Sequence, residues 1–504
     1  MDKRPVQHDP WDWPAEPTRA HGHDADRWLE YDLDGDGHAE YAQRLCGGYK
    51  RELHFRSLGG EAPTVVLRPT PDGTSPPLLL LLLDGVAYER IRGLYDAGHF
   101  RLFHPPARLI SVFPTLTDPA YDALFGTGPT PGFEPGFFDR RRNRLRNAFI
   151  WQLCGWNEVW ARHVDCRMSF VEDAIMYLFP RWVYPRELRR GRRVLDAQLA
   201  GGNTPAVVYL LSTDGLGHML RPEAIDQELR RLDAWIERAV YDHRGRLDVV
   251  ALADHGLSRV PEGCPHVQAF DLRAVLRAAG LHVGRRLTRP GDVVLPVFGL
   301  LDVARLHTFD APTRDQAAAA VRACPEVELV AVRDGERVRV LAGDEEAEIE
   351  RGDDAGGERL YGYRMLHGDP LRLASAVAAL HAAPSTPPTA LGTAREWLRH
   401  SAEAPYPVAP PRLWDAFFAV SREQPDVIVS LNDRCFVGSG VLSRFVRMQG
   451  THGGLHRRAT ETFIMGTRGA PPSPMYWPEV APWLVHEYGW RPDAAGHGAG
   501  LTKR

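Results

Sequence analysis

Cysteine is scarce and scattered in this chain: 6 among 504 residues. Cys46, Cys154, Cys166, Cys264, Cys324 and Cys435 form no C-x-x-C pair. A thiolate zinc knuckle and a dithiol redox site are thereby excluded, and the thiols read as reduced core or surface residues. Long hydrophobic runs are missing too. LLLLLL at 78–83 is far too short to span a bilayer and is flanked by strand signals. The opening stretch MDKRPVQHDPWDWPAEPTRAHGHD is polar and Pro-rich and shows no apolar signal-peptide core. The expectation is a cytoplasmic protein with no membrane partner. Charge of one sign is not in excess either. Lys and Arg number 61 against 65 Asp and Glu, for a net charge of −4. That balance argues against a dedicated binder of nucleic-acid polymer.

What the chain does contain is a large apolar fraction, 44%, with part of it in three runs that each end on an acid. PLLLLLLDG ends at Asp84, AVVYLLSTDGLGH at Asp214 with His218 beyond it, and LDVVALADHG at Asp254 and His255. Continuous runs of this kind read as strands buried on both faces of a parallel sheet. In such sheets ligands bind at the carboxyl ends of the strands. Three carboxylates and two imidazoles are thus delivered to one edge. Unpaired, that charge is too costly to bury, and a metal site explains it most simply.

Strand and helix patterns alternate from Leu78 onward. Strands are predicted at 77–84, 108–112, 206–212 and 247–253, and helices near 88–97, 119–126 and 222–240. The alternation predicts an α/β fold, a doubly wound, mostly parallel sheet with helices on both faces. Residues 328–364 alternate with a period of two between DG, GD and GG turns, which predicts a small antiparallel β insertion. PDVIVSL at 425–431 reads as a return to the sheet. The expected division is 1–70, an N-terminal arm with a hairpin; 71–327, the first part of the core; 328–370, the β insertion; and 371–504, a helical segment and return to the core.

Further motifs complete the pattern. Asp214 and His218 are four apart and share a face at a helix start. His452 lies in Gly450-Thr451-His452-Gly453-Gly454, where glycines permit close backbone approach to a bound group. Pro114-Thr115-Leu116-Thr117-Asp118-Pro119 follows a strand and opens a helix, placing a hydroxyl beside free N–H groups. A Thr hydroxyl is a weak nucleophile at neutral pH, and metal coordination activates it. Thr115 and Thr117 both offer such a hydroxyl, and a Thr at this place also serves as a helix cap.

Asp84-Gly85, Pro114 to Pro119, Asp214 to His218, Asp254-His255-Gly256 and His452-Gly453 together resemble the alkaline phosphatase superfamily. Within it they resemble the type I phosphodiesterase/nucleotide pyrophosphatase family. The motifs keep that family's order and span about three quarters of the chain. The resemblance implies an alkaline-phosphatase-like fold and two zinc ions, with manganese the alternative. It implies Asp84, Thr117, Asp254 and His255 on one ion and Asp214, His218 and His452 on the other. It further implies in-line attack by Thr117 on a phosphodiester or pyrophosphate of a small-molecule substrate, through a phospho-threonine that water then hydrolyses. A phosphomonoesterase, phosphonate hydrolase or phosphoryl transferase on the same fold is the first alternative, and a non-catalytic metal-binding interaction protein the second. The chain departs from the family in two places. Gly126-Thr127-Gly128-Pro129-Thr130-Pro131-Gly132 is not followed by His-Gly, and no Asn appears until Asn143. Asp118 follows the nucleophile where relatives often carry Phe.

Other signals stand apart from this set. Asp32, Asp34, Asp36 and Glu40, with Gly37 sixth, look like a calcium loop, although Gln43 occupies the twelfth position. A solvated acidic turn is the alternative. The run Asp139 to Arg146 reads as a salt-bridged turn or an anion clamp. Phe133, Phe137 and Phe138 read as core, with stacking on a base the alternative. His266 and His456 read as surface or supporting histidines.

Overall fold

The computed structural model describes residues 17–491 except 24, 33–34, 40, 56–64, 67–75, 147–157, 203, 244, 262, 381–388 and 439–446. Its centre is a six-stranded sheet. In chain order the strands are β1 (Leu78–Leu83), β2 (Ala107–Ile110), β3 (Ala206–Leu210), β4 (Asp248–Ala253), β5 (Glu461–Gly466) and β6 (Met475–Tyr476). The spatial order is β3-β1-β4-β5-β2-β6. Only β5 runs against the others, so the expected mostly parallel sheet is present.

The leucine run explains itself in this setting. Leu78, Leu80 and Leu82 join one core with Ala120 and Tyr121, while Leu79, Leu81 and Leu83 join another with Ile91, Leu94 and Trp235. All six are buried, as a strand covered on both faces requires. The helices that matter for the site are α1 (Tyr88–Asp96), α2 (Thr117–Phe125), α3 (Phe170–Met176), α4 (Pro180–Ala200), α5 (Ser212–Met219) and α6 (Pro222–Asp242).

A second, nine-stranded sheet begins at His282–Gly284, within the expected first part of the core. It contains the antiparallel strands expected around 328–364, observed as Val327–Asp334, Arg337–Ala342, Glu345–Asp353 and Arg359–His367. The strand expected at 425–431 forms as Val427–Leu431, but in the middle of this second sheet, between Val303–Thr308 and Val327–Asp334. The return to the central sheet is β5. An apolar run specifies a buried strand and not which sheet receives it, so this partner was not legible.

Near the N-terminus a five-stranded antiparallel sheet replaces the expected hairpin. It meets α6 through a buried charge cluster. Lys50 and the Tyr41 hydroxyl both engage Glu237, and Lys50 Nζ lies 3.8 Å from Asp233. Among the described residues no helix is long and apolar enough to cross a membrane.

Candidate functional site

Residues from strand ends, one helix and one late loop converge at the carboxyl edge of the central sheet. Asp84 follows β1, and Asp254 and His255 follow β4. One ligand atom from each lies within 4.8 Å of the other two. Asp214 and His218 project from α5 toward His452, and these three also share a 4.8 Å sphere. The two groups adjoin. The His255 and His452 rings stack with centroids 3.9 Å apart. Gly85 sits between the groups at φ +64°, and a Cβ there would lie 2.8 Å from Asp214 Oδ1 and 3.4 Å from His255 Cε1. Only glycine fits this position.

Three features fit these groups to divalent cations. Asp84 Oδ1, Asp214 Oδ1, Asp254 Oδ2 and His255 Nε2 are buried without a hydrogen bond. Buried polar atoms are rarely left so unless a ligand completes them. All three imidazoles are turned the same way. Nδ1 of His218 lies 2.7 Å from Gly450 O, Nδ1 of His255 2.9 Å from Gly256 O, and Nδ1 of His452 2.9 Å from Thr115 O. A proton held on Nδ1 by a carbonyl leaves the Nε2 lone pair facing the cluster, as metal-ligating histidines do. Finally, mixed carboxylate and imidazole donors suit zinc or manganese.

Electrostatics show the cost of leaving the groups to themselves. Burial, then the nearby Asp84 carboxylate, pushes Asp254 up to about 7. Asp84 is also raised, by burial and by Asp214. Burial opposes charge on Asp214, but His218, His452 and His255 hold it below the usual carboxylate range. Burial likewise opposes charge on His255, yet Asp254, Asp84 and Asp214 push it up to about 10. Burial and His255 push His452 well down. Crowded like and unlike charges of this kind mark functional sites more often than structural ones.

Thr117 is the first residue of α2. Its N-cap is Leu116, which makes no side-chain cap. The Thr117 hydroxyl is partly exposed and lies 3.3 Å from Asp84 Oδ2. Thr115 is placed differently. It is fully buried, accepts from Gly453 N at 2.8 Å and approaches Gly454 O at 3.3 Å. Thr115 therefore splices the loop before α2 to the loop carrying His452. Asp118 Oδ1 accepts from Trp160 Nε1 at 2.9 Å.

Several positioning residues were not legible beforehand. The Tyr209 hydroxyl donates to Asp84 Oδ2, and the Tyr177 hydroxyl donates to Asp214 Oδ2 at 2.9 Å. Desolvation pushes both phenols well up, so they remain donors. Each cluster has one carboxylate whose Oδ2 is taken by a tyrosine and whose Oδ1 faces an imidazole, His255 Nε2 at 3.4 Å from Asp84 and His218 Nε2 at 3.1 Å from Asp214. Glu187 on α4 accepts from Leu211 N and Ser212 N at 3.0 and 3.1 Å, capping the start of α5. Asp302 accepts from Gly454 N at 2.6 Å and its own N–H donates to His452 O at 3.1 Å. Arg412, fully buried, gives Nη1 to Leu455 O at 3.4 Å and Nη2 to Val112 O at 3.3 Å and Thr460 Oγ1 at 2.8 Å. It bridges the same two loops as Thr115.

The remaining sequence signals lie elsewhere. Arg140 pairs with Asp426, while Arg142 and Arg146 pair with Asp139, so the Arg-rich run is a salt-bridged turn. Asn143 hydrogen-bonds the backbone of Leu287 in both directions, at 2.7 and 2.8 Å. Phe133, Phe137 and Phe138 are buried. In the acidic N-terminal loop, Asp32 accepts from Gly35 N and Gly37 N at 2.7 and 2.8 Å, and Asp36 from His38 N at 2.7 Å. Asp34 and Glu40, the other calcium candidates, lie outside the described residues.

The family model for type I phosphodiesterase / nucleotide pyrophosphatase matches residues 156–366. That span holds Asp214, His218, Asp254 and His255. The resemblance to this family is thereby borne out over that span. No curated protein matches the chain. Among solved structures, phosphonoacetate hydrolase from Sinorhizobium meliloti 1021 in complex with phosphonoformate is 14% identical at a TM-score of 0.44, covering 86% of this chain and 98% of that one. Human ectonucleotide pyrophosphatase / phosphodiesterase 5 is 10% identical at a TM-score of 0.44, covering 81% and 94%. Likenesses at these scores carry no argument about activity.

Proposed function

We propose that this chain is a metal-dependent hydrolase that cleaves a phosphodiester or pyrophosphate bond with Thr117 as nucleophile. One observation carries the reading: two adjoining donor groups with unsatisfied inward atoms, and a helix-terminal hydroxyl 3.3 Å from Asp84 at their edge. Asp84, Thr117, Asp254 and His255 would hold one divalent cation, and Asp214, His218 and His452 the other. Zinc or manganese bound there supplies Lewis acidity to phosphoryl oxygens and neutralises the buried carboxylates.

The chain's own residues then divide the remaining work. The Thr117 hydroxyl points at Asp84 Oδ2, an oxygen already fixed by Tyr209, so its proton has a defined acceptor as Oγ1 bonds to phosphorus. The first turn of α2 presents N–H groups to an anion at that position. The ester oxygen leaves from the opposite side with its electron pair. Water then cleaves the phospho-threonine, restoring the hydroxyl and releasing phosphate or its monoester.

The test is Thr117→Ala. Turnover of bis-nitrophenyl phosphate should fall by roughly 10³-fold or more, with metal content largely retained. Unchanged turnover in that variant removes Thr117 from the nucleophile role. Comparing the same protein on nitrophenyl phosphate separates diester from monoester preference.

A further inference from the structure

The turn between α3 and α4 points two side chains inward and three outward. Met176 is buried against Gly215 of α5, where a Cβ would lie 2.7 Å from its Cγ. Tyr177 reaches Asp214. Leu178, Phe179 and Trp182 do the opposite, at 55%, 60% and 51% exposure. The display is fixed by the backbone: the Leu178 and Phe179 N–H groups both donate to Ile175 O at 3.0 Å, and Trp182 N–H to Phe179 O at 3.0 Å. Single exposed apolar residues need no explanation, but three together beside a functional site do.

Charge is arranged along the same face. Trp182, Arg186, Arg189 and Arg193 are all exposed and follow steps of four, three and four, which is one stripe of a helix. Arg186 stacks on the Trp182 ring at 3.5 Å. Arg190 and Arg192, off the stripe, are paired with Glu172, Asp196 and Asp242. Arg186, Arg189 and Arg193 have no acidic partner among the described residues. The stripe runs about 16 Å along the helix axis. A line of cations that long suits charge spread over a plane, whereas a single small anion calls for a convergent cluster. Apolar anchors at one end and unpaired arginines along the rest are the features of an interfacial helix.

We infer that the α3–α4 face seats on a lipid surface carrying anionic headgroups, with Leu178, Phe179 and Trp182 entering the headgroup boundary and Arg186, Arg189 and Arg193 meeting the negative charge. The patch adjoins Tyr177, which bonds Asp214, so seating sets the lipid surface beside the candidate site.

The experiment is sedimentation with vesicles of equimolar phosphatidylcholine and phosphatidylserine, and with vesicles of phosphatidylcholine alone. It is run in chelator, so that binding is read without turnover. Wild type and Thr117→Ala should sediment alike with the anionic vesicles, and less as salt rises. Arg189→Gln with Arg193→Gln should bind about 30-fold more weakly. Phe179→Ser with Trp182→Ser should stay in the supernatant while melting like wild type. Wild type that never sediments, or double variants that bind as wild type does, overturns the surface. Equal binding to neutral vesicles overturns the role of the arginines.

Discussion

The two donor groups are built by different means. Asp84, Asp254 and His255 come from the ends of β1 and β4, adjacent parallel strands in register from Leu78 with Asp248 to Leu83 with Ala253. The ladder that forms the core also sets the spacing of these ligands. Asp214, His218 and His452 share a thinner frame, the short pairing of Gly450–Thr451 with Ser258–Arg259 and a 2.7 Å bond from Gln449 N–H to His218 O. Two ride on α5, whose start depends on Glu187 of α4, and the third hangs on a loop held by Thr115, Asp302 and Arg412. Sheet-borne ligands are positioned by many shared hydrogen bonds, whereas the helix-and-loop group depends on a few individual side chains. The second group should therefore be the easier to perturb from a distance.

The sharpest break in this comparison comes from deleting one ligand in each group. Asp254→Asn and His452→Ala should each leave about one ion per chain and lower turnover by roughly 10³-fold. Mass spectrometry of the purified variants reads the stoichiometry; loss of both ions from either variant would show that the two groups bind as one unit. A smaller effect is expected from the tyrosines. Tyr177→Phe should weaken metal binding toward the upper end of the ~10–100-fold range for outer-shell partners, and Tyr209→Phe toward the lower end. Chelator competition measures both, and the reverse order would contradict the contrast between sheet and loop.

Thr115→Val keeps the volume and removes the hydroxyl that joins two loops. It should cost about 1–3 kcal/mol of stability, because Gly453 N–H is left buried without its partner. The accompanying drop in metal content should fall on the His452 group. Denaturant titration with metal analysis checks both. The smallest expected effect is a pH dependence at Glu187, which burial pushes up to about 7. Its folded value lies above the unfolded one of about 4.3. Its contribution is therefore complete below that unfolded value and is lost as pH rises to about 7. Glu187→Gln should flatten that part of the stability profile.

The same contrast governs how much was legible in the sequence. Strand ends announce themselves: LLLLLLDG and VVALADHG give the strand, its double burial and its terminal acid at once, and the observed strands stop at Leu83 and Ala253. Asp214 and His218 were legible because helical spacing relates them, and His452 because glycines surround it. Tyr209 was not, since within AVVYLL a tyrosine reads as an ordinary strand residue. Its partner Asp84 is 125 positions away. Asp302 and Arg412 were hidden for the same reason: each acts through backbone atoms of a distant loop, and backbone acceptors leave no trace in residue identity. Strand 427–431 was recognised and its sheet was not, because apolarity reports burial and not partner. The N-terminal sheet has five strands where the sequence predicts a hairpin, because polar residues such as Gln43 and Lys50 occupy its buried positions.

The most direct test of the account is metal content and bis-nitrophenyl phosphate turnover measured on one sample of the purified protein. The account predicts about two zinc or manganese ions per chain and turnover that chelator abolishes and metal restores. A chain that takes up no metal after reconstitution, or that keeps full turnover in chelator, would contradict it.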